Sequence, residues 1–99
     1  MMKLDVPKAL LAEFCRRNHI RRLAFFGSVL REDFGPTSDV DVLVEFEPGA
    51  VPGFLGLSVI EAELSALLGN REVDLVTEKF LSPRIRDRVL AESEVGFAA

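Results

Sequence analysis

Apolar positions recur along the chain with two different periods, and the switches between them mark six elements. After Asp5-Val6-Pro7, the residues Leu10, Leu11 and Phe14 fall at helical spacing. Asp5 offers a cap, Pro7 suits a first turn, and Arg16-Arg17 suit the negative C-terminal end, so the spacing predicts a helix closed by Asn18 and His19. Residues 22 to 26 form a short apolar run, Arg-Leu-Ala-Phe-Phe, that stops at Gly27 and reads as a buried strand. Residues 28 to 32 fit one helical turn, and Gly35-Pro36 places a loop at 33 to 37. Ser38 to Phe46 is rich in β-branched and apolar residues and predicts the best strand of the chain. Glu47-Pro48-Gly49 ends it, and a loop runs to Gly53. Phe54, Leu57, Ile60, Leu64, Leu67 and Leu68 make an apolar helical face that stops at Gly69-Asn70. Arg71 to Thr77 reads as a further strand. Ser82-Pro83 caps and opens a last helix, with Ile85 and Val89 four apart.

The predicted order is helix, strand, strand, helix, strand, helix. That is an α/β (α+β) domain with a small mixed β-sheet flanked by helices on at least one face. The 99 residues suffice for one domain, 1–99. There is no internal repeat, low-complexity tract or interdomain linker.

Composition narrows the function. A chain 48% hydrophobic and 28% charged is ordinary for a folded domain. The net charge of −4, with eight Phe and no Trp or Tyr, disfavours a duplex-binding or base-stacking surface, so no direct nucleic-acid binding is expected. Arg16, Arg17, Arg21 and Arg22, and then Arg84, Arg86 and Arg88, read first as solvated faces and second as contacts to an acidic partner or a triphosphate. A single cysteine, Cys15, excludes an intrachain disulfide and a cysteine zinc site. No apolar stretch approaches the roughly 20 residues of a spanning helix, and no cationic leader precedes an apolar run. A cytoplasmic protein without a membrane partner is expected.

The chemistry concentrates between Gly27 and Asp74. Asp39 and Asp41 are two apart on a predicted strand, so period-2 geometry sends both carboxylates to one face, roughly 6–7 Å apart. Val40 and Val42 point the other way. Two carboxylates on one face repel unless a positive group sits between them, and their oxygens suit a hard ion such as Mg²⁺. An Asp-x-Asp pair alone also fits a solvated strand end. Asp74 adds weight, because it interrupts the apolar run Val73-Asp74-Leu75-Val76. If its strand pairs with that of Asp41, the carboxylates share a sheet face that could hold two metal ions about 4 Å apart. Gly27-Ser28 follows a strand directly. Glycine permits close backbone approach, and N–H groups heading a helical turn cradle phosphate oxygens. His19 reads as a helix cap or surface residue, Cys15 as packing or half-exposed, Glu45 as a solvated strand end or a supporting group behind the aspartates, and Glu61 and Glu63 as the polar side of their helix.

Gly27-Ser28, then Arg31, then Ser38-Asp39-Val40-Asp41-Val42-Leu43-Val44-Glu45-Phe46 resembles the DNA polymerase β-like nucleotidyltransferase superfamily. Val73-Asp74-Leu75-Val76-Thr77 resembles the strand of its third carboxylate. The segment Leu81-Ser82-Pro83-Arg84-Ile85-Arg86-Asp87-Arg88-Val89-Leu90 looks like the closing helix of its minimal, MntA-like branch. The resemblance spans about residues 20 to 92. One departure is Glu32, where many relatives carry Gly after the arginine.

The resemblance implies a polymerase β-like nucleotidyltransferase fold and a nucleotidyltransferase of the protein adenylyltransferase type. Asp39, Asp41 and Asp74 would be the catalytic and metal-binding residues for two Mg²⁺ ions. Gly27, Ser28 and Arg31 would bind the nucleotide, ATP. In this branch the partner is a HEPN-family toxin, an all-helical ribonuclease, and the enzyme acts as antitoxin by placing AMP on a toxin tyrosine. Two alternatives stand beside that expectation: neutralisation of the partner by binding alone, and transfer to a small molecule of the aminoglycoside kind. A homo- or hetero-oligomer is compatible with either protein-directed reading.

Overall fold

The computed structural model describes residues 6–30, 35, 38–77, 79 and 81–99, with the side chains of residues 28 and 29 excepted. Its elements are α1 (Lys8–Arg17), β1 (Ile20–Phe26), a short 3-10 turn (Gly27–Leu30), β2 (Val40–Phe46), α2 (Phe54–Leu67), β3 (Val73–Thr77), α3 (Pro83–Glu92) and β4 (Glu94–Ala98). The strands form one mixed sheet in the order β3-β2-β1-β4. β1 runs antiparallel to both β2 and β4, whereas β2 and β3 are parallel and joined through α2.

The expected mixed sheet with flanking helices is therefore present, with differences at the margins. Helix α1 begins at Lys8 with Pro7 in the capping position, so the cap falls two residues after the expected Asp5. Asp5, the expected cap, lies outside the described residues. β2 begins at Val40, so Asp39 precedes the strand instead of lying on it. β4 is an element that the apolar pattern does not announce. Its sequence, Glu-Val-Gly-Phe-Ala, has glycine at its centre. Its pairing is set by tertiary contact: Leu23 aligns with Phe97 and Ala24 with Val95, with an irregularity between them. At Gly96 a Cβ would lie 2.7 Å from Phe25 Cε2, so only glycine lets this strand approach.

The alternation of β2 separates two faces. Val40, Val42, Val44 and Phe46 point into a core shared with Leu11, Phe14 and Cys15 of α1, Leu23 and Phe25 of β1, and Ile60 and Leu64 of α2, with Leu68 at its cap. Each such side chain, fully buried, contributes about 1.5–3 kcal/mol. Three apolar residues that the sequence sets at helical spacing are exposed: Leu10 and Ile85 about half, and Phe54, at the first residue of α2, 84%. The helical phase favours Leu11 over Leu10 and Ile60 over Phe54. On the opposite face of the sheet Ala24 and Leu43 are also buried. Leu90 of α3 shares a small crevice with them, so α3 lies over part of that face.

Several surface charges are paired. Arg17 meets Glu63 and Glu13, and Arg21 meets Glu45. Arg16 stacks over the Phe97 ring at 5.9 Å, and Arg88 pairs with Glu92 at 3.2 Å. These contacts favour the solvated-face reading for Arg17, Arg21 and Arg88, whereas Arg86 turns inward to the Leu81 carbonyl. His19 takes a left-handed φ of 57° at the end of α1 and places Nδ1 3.3 Å from Glu47 Oε2. Cys15 is fully buried, and burial pushes its thiol up to about 12, with Arg16 opposing the shift. No helix among the described residues is long and apolar enough to cross a membrane.

Candidate nucleotidyl-transfer site

The candidate site forms at the end of the sheet where β1 stops and β2 and β3 start. β1 ends at Phe26, which aligns with Asp41 across the antiparallel pair. The chain then turns at Gly27 with φ 72°, a left-handed conformation that side chains with a Cβ adopt at a cost. A Cβ at Gly27 would stand 2.3 Å from Asp41 Oδ2. The Asp41 carboxylate is thus packed directly against the Gly27 α-carbon. The two halves of the sequence motif, separated by a loop, touch in space. The 3-10 turn that follows contains Ser28, but the Ser28 side chain and the whole of Arg31 and Glu32 lie outside the described residues.

Asp41 aligns with Asp74 across the parallel pair β2–β3. Neighbouring strands run about 4.8 Å apart, and residues in register share a face. Their neighbours alternate: Val42 and Val40, on the core face, align with Leu75 and Val73. Asp41 and Asp74 therefore belong to the face opposite the core. Asp41 is half-buried and Asp74 exposed. Asp39 is exposed and lies across Val40, which is completely buried. The three aspartates named from the sequence are brought to one end of one sheet.

As they lie, no three His, Cys, Asp or Glu side chains among the described residues converge into a metal-holding group. The donor set itself fits a divalent ion. Carboxylate oxygens are the ligands of Mg²⁺, and the backbone already aligns Asp41 with Asp74. Glu45, at the far end of β2, is taken up by Arg21 and stands away from this group.

Two participants escape sequence reading. Glu61 of α2 accepts the Leu75 N–H at 3.1 Å, sealing one backbone donor on the outer strand of the sheet. Its place on a polar helix face gives no sign of this partner. Arg71 donates to the Gly35 carbonyl at 3.0 Å and so reaches the loop that leads into Asp39. Beside Gly27, Phe26 and Leu30 face Ile85, Arg88, Val89 and Glu92 of α3 across a groove of about 510 Å³.

A mixed sheet that places a glycine turn against one of two aligned aspartates is compatible with nucleotide transfer. Residues 8–95 match the family described as nucleotidyltransferase domain, and the chain belongs to that family, in its minimal MntA-like branch. It is a nucleotidyltransferase. It is 41% identical over 96 residues to the protein adenylyltransferase MntA of Thermococcus cleftensis, covering 93% of this chain and 94% of that protein. A solved structure described as a minimal nucleotidyltransferase is 37% identical, with a TM-score of 0.71, and the match covers 87% of this chain and 85% of that one. The fold also matches, with a TM-score of 0.66 at 17% identity, a structure of an AMPylated Shewanella oneidensis HEPN toxin in complex with its MNT antitoxin. That match covers 93% of this chain and 70% of the other.

Proposed function

We propose that this chain transfers AMP from ATP to a tyrosine hydroxyl of a HEPN-family partner toxin and thereby acts as its antitoxin. The observation that carries the reading is the alignment of Asp41 with Asp74 across β2–β3, with Asp41 packed on Gly27. The name of the Thermococcus relative supports adenylyl transfer to protein. The AMPylated toxin bound to the Shewanella antitoxin supports the acceptor.

Asp39, Asp41 and Asp74 would hold two Mg²⁺ ions, which would supply neutralisation of the charge developing on the phosphoryl oxygens. The backbone N–H groups after Gly27, with Ser28 and Arg31, bind the β- and γ-phosphates. The acceptor oxygen attacks the α-phosphorus and forms a new P–O bond. The bond from that phosphorus to the bridging oxygen breaks, and pyrophosphate leaves. The hydroxyl proton passes to the Asp74 carboxylate, the most solvent-accessible place on the paired strands for an incoming side chain.

The test is incubation of the chain and its partner with α-labelled ATP and Mg²⁺. Label on the toxin that disappears in Asp41→Asn and Asp74→Asn, and in toxin lacking the tyrosine, supports the reading. Full neutralisation by both variants, with no transfer by the wild type, establishes binding alone. Transfer to an added aminoglycoside and not to the toxin establishes a small-molecule acceptor.

A further inference from the structure

Asp39 lies on no regular element, since β2 begins one residue later. Its place depends on the segment before it, and the contacts there lead to one side chain. Arg71 Nη1 donates to the Gly35 carbonyl at 3.0 Å, across 36 positions of sequence. The same carbonyl accepts the Ser38 N–H at 3.1 Å. In return the Gly35 N–H donates to Ser38 Oγ at 3.0 Å. Gly35 and Ser38 are thus tied to each other twice, and Arg71 ties the pair to the sheet. On the other side of Asp39, the Val40 N–H donates to the Glu72 carbonyl at 2.8 Å. Asp39 is flanked by two anchors, and consecutive residues, Arg71 and Glu72, supply both.

Those anchors are themselves fixed. The hydroxyl of Ser65 on α2 donates to the Arg71 carbonyl. The Asn70 N–H donates to the Ser65 carbonyl at 2.8 Å, with Gly69 and Asn70 both left-handed at φ 82° and 64°. Helix α2 therefore sets Arg71, and Arg71 holds the linked pair Gly35 and Ser38, the latter next to Asp39. Ordering a long arginine costs side-chain entropy. A guanidinium bond to a carbonyl offsets that cost, being roughly twice as strong as a neutral one.

We propose that Arg71 is a positioning residue for the carboxylate site. Its guanidinium holds the linked pair Gly35 and Ser38, and through Ser38 the placement of Asp39 beside Asp41. The inference rests on the metal reading of Asp39, Asp41 and Asp74. The contact with Gly35 is made by one nitrogen, so a lysine supplies an equivalent point donor where a bidentate role would not tolerate it.

The test compares wild type with Arg71→Ala and Arg71→Lys in measurements that need no partner. Mn²⁺ affinity is read by electron paramagnetic resonance, and backbone order by amide exchange over residues 35 to 41. R71A should bind Mn²⁺ about tenfold more weakly, as supporting groups behind metal ligands do. Exchange at Ser38 should rise about tenfold in R71A while that of Leu23 and Val42 stays unchanged. R71K should recover most of both. Wild-type Mn²⁺ affinity in R71A, or unchanged exchange at Ser38, overturns the proposal. Should R71A fail to fold, Ser38→Ala carries the test by removing the acceptor of the Gly35 N–H. It must weaken Mn²⁺ binding and speed exchange at Gly35, and unaltered values overturn the proposal. A wild-type chain that binds no Mn²⁺ overturns the metal reading and this role together. Equal binding by wild type and R71A overturns the role of Arg71 alone.

Discussion

Asp41 Oδ2 lies 2.3 Å from the point that a Cβ on Gly27 would occupy. The glycine is therefore favoured by its left-handed φ, and a Cβ there would also push the Asp41 carboxylate aside. Gly27→Ala should lose about 1–2 kcal/mol from the backbone conformation alone and more from the displaced carboxylate. Transfer should fall about a hundredfold, the usual effect of a misplacement near 1 Å. Urea denaturation and the labelled-ATP assay read the two effects. In an Asp41→Ala background the same glycine change should cost less stability, because the collision is gone.

Function and stability should respond oppositely at Asp74. The side chain is exposed, so Asp74→Asn should change metal-free stability by no more than about 0.5 kcal/mol. Transfer should fall about a hundredfold or more, as for loss of a group that stabilises developing charge. A chelator should lower the melting temperature of the wild type measured in Mg²⁺, because a ligand bound only by the folded chain stabilises it. In Asp74→Asn the chelator should have less effect. Melting curves with and without EDTA check this.

The buried Cys15 thiol gives a pH signature. Its folded value is raised from 9.0 to about 12, chiefly by burial. A raised value means the unfolded chain ionises first. The contribution is thus complete below pH 9 and is lost as pH climbs from 9 towards 12. Cys15→Ala should flatten that part of the stability curve relative to wild type. Native protein should also resist thiol reagents until denaturant opens the core, which a colorimetric thiol assay reads.

Glu61 should matter more than its place on a polar helix face suggests. Glu61→Ala leaves the Leu75 N–H without its side-chain acceptor and should cost about 1–2 kcal/mol. Glu61→Gln keeps an acceptor and should cost less. Amide exchange at Leu75 separates the two variants, faster in the first and near wild type in the second.

What the sequence disclosed follows from what is local in it. The alternation of Val40, Val42 and Val44 dictates a strand with one buried face, and the same alternation continues through Val73 and Leu75. Period 2 is a local rule, so Asp74 could be set opposite Val73 and Leu75, but its sharing a face with Asp41 depended on the pairing of the two strands. β4 was hidden because Gly96 breaks its pattern, and only the approach to Phe25 and Leu11 explains that glycine. The exposure of Phe54 was hidden because the stripe actually buried runs through Ile60, Leu64 and Leu68, and Phe54 at the first residue of the helix lies off it. Arg71 and Glu61 act on backbone groups 36 and 14 positions away, distances over which spacing carries no information.

The division of β3 between Asp74 and Leu75 also bears on how the sheet assembles. β2 and β3 are aligned from Val40 with Val73 to Val44 with Thr77, and valines that resemble one another offer many near-equivalent alignments. A slip of one position would turn Leu75 to water and press the Asp74 carboxylate into the apolar interior, a desolvation of several kcal/mol. The residue proposed for catalysis thus doubles as an assembly check, penalising every odd-numbered misalignment while the chain folds. Replacing Asp74 with an apolar residue would silence the chemistry and remove that proofreading in the same stroke.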